Sequence, residues 1–353
     1  MVEFNIVSEM IPGESFAGYG GGSFVSDNGK IFFAYTAALK DNDKTSHILI
    51  KVSCDNGISW SDGEPVILDG NALLGEYSGV SFLKMNDGRT GLFFVEGDGT
   101  GWKSRIVFGI SDDGCKTFSL KCADCSFDIY TGLFIMENDA AIQLRSGRIL
   151  LPLCYRFGGD KGVEGTAPDE RAFVGFSYSD DGGATFMLAH DDLFQTFAGT
   201  DHGLRHPGVI ELFPGILHSY FSTDRMCQYS AFSTDGGLEW TQSEPTDFSS
   251  PSSPMKIRKN PYSGKYYAVF NPIPDYIGRV TAPHVMSRTP LVIAELSCDS
   301  RRPEKVFPIC ECESKGYSDP AITFVSSNEY ILSYTVSDEC GNSLVIARGC
   351  LED

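Results

Sequence analysis

The stretch Asp201-His202-Gly203-Leu204-Arg205-His206 is the densest polar cluster in the chain. Two imidazoles, a carboxylate and a guanidinium so close together suit proton transfer beside an anion. An imidazole near its ordinary pKa of about 6.5 takes up a proton at neutral pH, and a guanidinium fork holds a carboxylate. His206 could thus draw the proton from a tyrosine such as Tyr317. A Tyr–His–Arg set also serves elimination on a uronate: the carboxylate is neutralised, the α-proton abstracted and the glycosidic oxygen expelled. The plainer reading of His206 is a loop histidine satisfied by backbone groups. Cys122-x-x-Cys125 and Cys310-x-Cys312 offer four thiolates to zinc, but nothing in the sequence brings the two pairs together. No feature requires a metal or another cofactor.

What must position these residues is a repeat. The pattern Ser-x-Asp-x-Gly-x-(Ser/Thr)-aromatic occurs at 53–60, 111–118, 179–186 and 233–240. The second copy has Cys115 in place of Gly, and the fourth has Glu239 at the hydroxyl position. In such a turn the Asp carboxylate accepts backbone N–H groups, Gly supplies positive φ, and the hydroxyls cross-link the loop. It is a fold staple, not a reactive site. Ser297-Cys298-Asp299 looks like a decayed fifth copy. Turns before apolar strands recur at Gly29, Gly88, Gly147, Gly215, Gly264 and Asn328, between 49 and 68 residues apart. Six such units of about 59 residues fit four-stranded blades with long loops. The expected fold is all-β, a six-bladed β-propeller forming a single domain over 1–353. The run Phe4-Asn5-Ile6-Val7 is expected to supply the outer strand of the last blade, beside Ser343–Ala347.

Composition agrees. The chain has 353 residues, 38 of them glycine, and no low-complexity tract divides it. A net charge of −19 argues against nucleic acid and anionic membrane as partners, though a local arginine pocket can still hold an anionic sugar. The start Met1-Val2-Glu3-Phe4 lacks a basic region and an apolar signal core, and eleven cysteines suit reduced thiols. A cytoplasmic location is the expectation, and the oligomeric state is open.

The four octapeptides resemble the Asp-boxes of the sialidase superfamily. The likeness extends to Asn138–Pro152, Pro207–Leu212, Ser287–Leu291 and Gly316–Pro320, as in bacterial sialidase-like proteins with BNR repeats. Sialidases pair a Tyr nucleophile with a Glu, use an Asp as acid/base, and clamp the substrate carboxylate with three arginines. The resemblance implies Tyr317 as nucleophile and Arg288 as the third arginine. It implies Asp43, with Asp41 competing, as the acid/base in the loop Lys40–Asp43. Three positions depart. Gly20-Gly21-Gly22 stands where the first arginine is expected. Ser222 stands at the second, with Arg225 three residues on as a substitute. His206 replaces the Glu, with Arg205 beside it as a further substrate-binding group. Arg156, Arg171, Arg258 and Arg279 are further arginines that could reach the channel mouth, and the glycine-rich loop Gly158–Glu170 could cover it.

Three functions follow. The leading one is a retaining glycoside hydrolase acting on a carbohydrate with a terminal acidic or modified sugar, its arginine clamp incomplete. The others are a uronate lyase using His206 and Tyr317, and a non-catalytic glycan-binding propeller.

Overall fold

The structure, a computed structural model, describes residues 3–42, 44–101, 103–126, 132–157, 171–194, 199–273 and 283–351. Alternating apolar and polar residues between tight turns leave antiparallel strands as the economical solution. Apart from a two-stranded ribbon of Ile67–Leu68 with Asn71–Ala72, the described strands form six sheets whose inner strands begin at Phe16, Tyr77, Gly132, Arg205, Lys256 and Gly316. These are blades 1 to 6 of a propeller. Every hairpin turn expected from sequence joins an inner strand to the second strand of its blade, as Phe16–Asp27 to Lys30–Leu39 in blade 1. The sixth blade is completed by Glu3–Met10, which pairs antiparallel with Gly341–Cys350 through Phe4 opposite Gly349 and Ile6 opposite Ala347. Among the described residues, no helix is long and apolar enough to cross a membrane.

The core is divided rather than continuous. Six apolar clusters fill the six spaces between neighbouring blades. Between blades 2 and 3, Phe93 stacks on Phe108 with ring centroids 4.0 Å apart. Between blades 3 and 4, Phe176 stacks on Trp240 at the same separation. Each large side chain so buried contributes roughly 1.5–3 kcal/mol.

The Asp-boxes close the third-to-fourth strand turns as their chemistry predicts. In the first, Asp55 accepts from the Ser53 hydroxyl at 2.8 Å, the Ser59 amide at 2.9 Å and the Ser59 hydroxyl at 2.5 Å. Asp113 and Asp181 repeat these bonds with Thr117 and Thr185. The decayed copy keeps part of the set, with Ser297 donating to Asp299 at 2.6 Å. The boxes also join blades. A Cβ on Gly57 would collide with Ile331 of blade 6, and one on Gly183 with Phe108 of blade 2. Both glycines have positive φ, 82° and 85°.

Gly183→Ala therefore combines left-handed strain with overpacking, and is expected to destabilise the fold by about 1–3 kcal/mol in urea denaturation. An unchanged midpoint would show that the box does not seat on Phe108. A second expectation concerns acid. Hydrogen bonds from Ser59 and Ser53 bring the Asp55 carboxyl down to about 2, and bonds from Thr117 and Ser111 do so for Asp113 against opposing burial. Their folded-state pKa values lie below the unfolded value of about 3.9. Their contribution is thus present above about pH 4 and lost as pH falls through about 2. Denaturation midpoints measured over that window should decline more gently in Asp113→Asn than in the parent protein.

Candidate functional site

The inner strands do not run smoothly past the axis. In blade 1, Tyr19 opposite Ala37 is followed by Gly22 opposite Tyr35, so Gly20 and Gly21 face Thr36 alone. The same two-against-one bulge places Gly79-Val80 opposite Phe94, His206-Pro207 opposite Phe221, and Asp319-Pro320 opposite Tyr334. In blade 3 the inner strand breaks between Gly132–Ile135 and Ile142–Gln143. A bulge re-aims side chains and interrupts the alternation of faces. Here it turns polar residues toward the channel. His206, Asp319 and Asp139 all take left-handed backbone conformations, with φ of 52°, 51° and 56°, a costly state for residues other than glycine that clusters at functional sites.

Below the mouth the channel is tied across by charge. Asp139 of blade 3 pairs with Arg258 of blade 5 at 2.8 Å and accepts the Ser23 hydroxyl of blade 1 at 2.8 Å. Its amide donates to Val80 of blade 2 at 3.0 Å. Lys256 is buried and donates to the carbonyls of Asn138 and Asp139, each at 2.8 Å, and Arg258 also donates to the Asp139 carbonyl. A Cβ on Gly21 would lie 2.5 Å from Asn138 Nδ2 and 2.6 Å from Asp319 Cβ. The position where the resemblance expects the first arginine is therefore filled from the opposite side by Asn138 and Asp319.

Beside this tie lies a cationic cluster. Burial first, then the charges of Arg288, Arg205, His202 and Arg156, push the His206 imidazole down to about 3. Its Nδ1 lies 2.6 Å from the hydroxyl of the buried Ser222. Arg156, Arg205 and Arg288 come from blades 3, 4 and 5. Arg205 Nε donates to the His202 carbonyl at 3.3 Å. Arg288 makes one long bond to the Ser252 carbonyl at 3.4 Å, and the Nε atoms of Arg156 and Arg288 are buried without a hydrogen-bond partner. Among the described residues, neither Arg156 nor Arg288 forms an ion pair, and the acidic group that Arg288 faces is Glu137. Glu137 sits between cluster and tie. Burial raises its pKa, as does Asp319, while Lys256 and Arg288 oppose the shift. Burial lowers that of Lys256. Asp319 accepts from the hydroxyls of Ser318 at 2.8 Å and Thr335 at 3.0 Å.

His206 feels the charges of Arg205 and Arg288, two of the sequence candidates, and of Arg156. Tyr317 is joined to them through its backbone, its amide donating to the Arg288 carbonyl at 2.8 Å, but its side chain turns away. Tyr317 lies in the apolar cluster between blades 5 and 6, its ring edge-on to Tyr334 at 6.0 Å. Burial, then the thiols of Cys310 and Cys312, push its hydroxyl up to about 12. The expectation of Tyr317 as a nucleophile with His206 as its base is corrected on both counts. The tyrosine is held in a core, and an imidazole lowered to about 3 is a weak proton acceptor. Arg225 is exposed in a turn, alongside Gly199, rather than substituting at the clamp. Arg258 reaches the axis but is occupied by Asp139, and Arg171 is exposed. Asp43, Arg279 and the loop 158–170 lie outside the described residues. Glu211 is structural, accepting the amides of Arg145 and Gly215 at 3.0 Å each. Sequence reasoning missed Glu137, Asp319 and Lys256. The available signal was Glu137-Asn138-Asp139 and Asp319-Pro320, acidic residues at the point where inner strands begin.

A six-bladed ring with four bonded Asp-boxes and a polar mouth defines a sialidase-like propeller. The chain belongs to the BNR repeat-like domain family, whose profile matches residues 29–330. Among curated proteins no relative matches it. Among solved structures it is similar to a protein of unknown function from Dyadobacter fermentans, at 16% identity, 99% coverage of both chains and a TM-score of 0.73. It is also similar to Trypanosoma rangeli sialidase in complex with sialic acid, at 14% identity and TM-score 0.68, covering 98% of this chain and 57% of that one. A third is the K499G mutant of NanB sialidase from Streptococcus pneumoniae, at 12% identity and TM-score 0.69, covering 99% and 70%. At these identities the likeness is one of fold.

The cationic cluster has a direct readout. With the largest opposing charge removed, Arg288→Gln should raise the His206 pKa, followed by the imidazole nitrogen shifts in NMR titration. The same pKa in both proteins would mean that Arg288 does not face His206.

Proposed function

We propose that this protein is a glycan-active propeller that docks the carboxylate of an acidic sugar against Arg156, Arg205 and Arg288. The observation that carries this reading is the set of three arginines from three blades whose charges reach one buried imidazole, two of them with a buried Nε left without a hydrogen-bond partner. Burying such charge is costly unless a partner arrives, and a planar guanidinium matches a carboxylate in two parallel bonds. A sialidase-like fold supports a glycoside-hydrolase-like or glycan-binding role, and the T. rangeli enzyme is itself seen with sialic acid.

The reaction we infer is glycosidic cleavage, with Glu137 rather than Tyr317 at its centre. A carboxyl whose pKa is raised keeps its proton for a leaving oxygen, and Asp319, held by two hydroxyls, is the second carboxyl group of the site. The uronate lyase reading loses its base with the lowered pKa of His206. A binding-only propeller is the second reading, favoured by the burial of Tyr317. All eleven cysteines are free thiols, which supports a reducing, cytoplasmic setting and an imported oligosaccharide as substrate.

Calorimetry with N-acetylneuraminic acid and galacturonic acid tests the reading. At least one should bind, and Arg288→Ala or Arg156→Ala should weaken that binding about tenfold or more, as expected for loss of a charged hydrogen bond worth about 1.5–3 kcal/mol. Glu137→Gln should keep the binding and lose turnover of the matching aryl glycoside. Binding that survives both arginine substitutions would count against the docking site.

A further inference from the structure

An open cleft of about 720 Å³ lies at the mouth across blades 1, 2 and 3, within the range of about 300–1,000 Å³ typical of ligand sites. Its wall includes Leu133–Ile135, two residues before Glu137, and Gly20, next to the Gly21 that packs on Asn138 and Asp319. The lining suits carbohydrate. The floor is glycine-rich, and Tyr19 and Tyr77 stand partly exposed along it. Both rings are held by aromatic neighbours, Tyr77 edge-on to Phe94 at 5.2 Å and Tyr19 tilted against Tyr35 at 6.2 Å. An amphipathic ring fixed in this way offers a sugar an apolar face and a hydroxyl at low entropic cost. Lys44 and Lys103 are exposed at the rim, and among the described residues neither forms an ion pair. Glu76 also lines the cleft, its carboxylate accepting the Gly99 amide at 2.8 Å, so in a chain of net charge −19 the two lysines still leave the cleft wall positive.

We propose that the cleft holds the neighbouring units of an acidic oligosaccharide, with Tyr19 and Tyr77 as stacking faces and Lys44 and Lys103 meeting a second acidic group. The substrate is then a short polyanionic glycan rather than a single terminal acid. The inference rests on the arginine site of the preceding section, which receives the first carboxylate. A single acid sugar fills that site alone, so any gain from chain length reports the cleft.

The test compares galacturonic acid with its linear trimer, and N-acetylneuraminic acid with its linear trimer, by calorimetry on the full chain. The expected result is a trimer bound about tenfold or more tighter than its monomer. That gain should fall in Tyr77→Ala and in Lys103→Glu, while affinity for the monomer stays unchanged. Lys103 is exposed, so its variant reports even if the tyrosine variant folds poorly. A monomer that binds while its trimer binds no tighter, or a gain that survives Lys103→Glu, overturns the cleft and leaves the arginine site standing. Failure of every monomer and trimer to bind removes the arginine site, and the cleft proposal with it.

Discussion

The ring depends on the tie that Asp139 makes across its axis. Apolar clusters bind each blade to its neighbours, but none of them joins blades across the channel. Asp139 does, through Arg258 of blade 5, Ser23 of blade 1 and Val80 of blade 2. Lys256 adds a second cation bonded to the same loop. Removing one member of such a buried set leaves the others charged and unpaired, at a cost of about 3–5 kcal/mol. The tie thus fixes the spacing of the inner strands and with it the geometry of everything above.

One consequence is the reorganised mouth. Because Asn138 and Asp319 press against Gly21, blade 1 has no room for a long side chain at that level. Positive charge is gathered instead on the far side, from blades 3, 4 and 5, around His206. The glycines of blade 1 and the arginines opposite are therefore two parts of one arrangement.

Much of the fold was legible because its signals are local. An Asp-box bonds within eight residues, and a hairpin turn within four, so both are visible in a short window of sequence. The closing strand could be read from an unpaired final blade. The site was legible only in part. Arg288, Arg205 and His206 were found, while Glu137, Asp319 and Lys256 were not. The physical reason is the bulge. Sidedness along a strand is read from a period of two, and a two-against-one bulge shifts that register. Tyr317 lies just before the bulge of blade 6 and faces the core, whereas Asp319 lies within it and reaches the axis. A motif match preserves the order of residues but does not report which of them the bulge turns inward.

The closing strand carries a mechanical implication. Glu3 lies opposite Cys350, so the two ends of the chain leave the sixth blade side by side, at the edge that carries the Asp-boxes. A force drawing those ends apart loads the hydrogen bonds of the clasp one after another, like the teeth of a zipper, instead of shearing them together. The ring would open first at that seam, under modest tension.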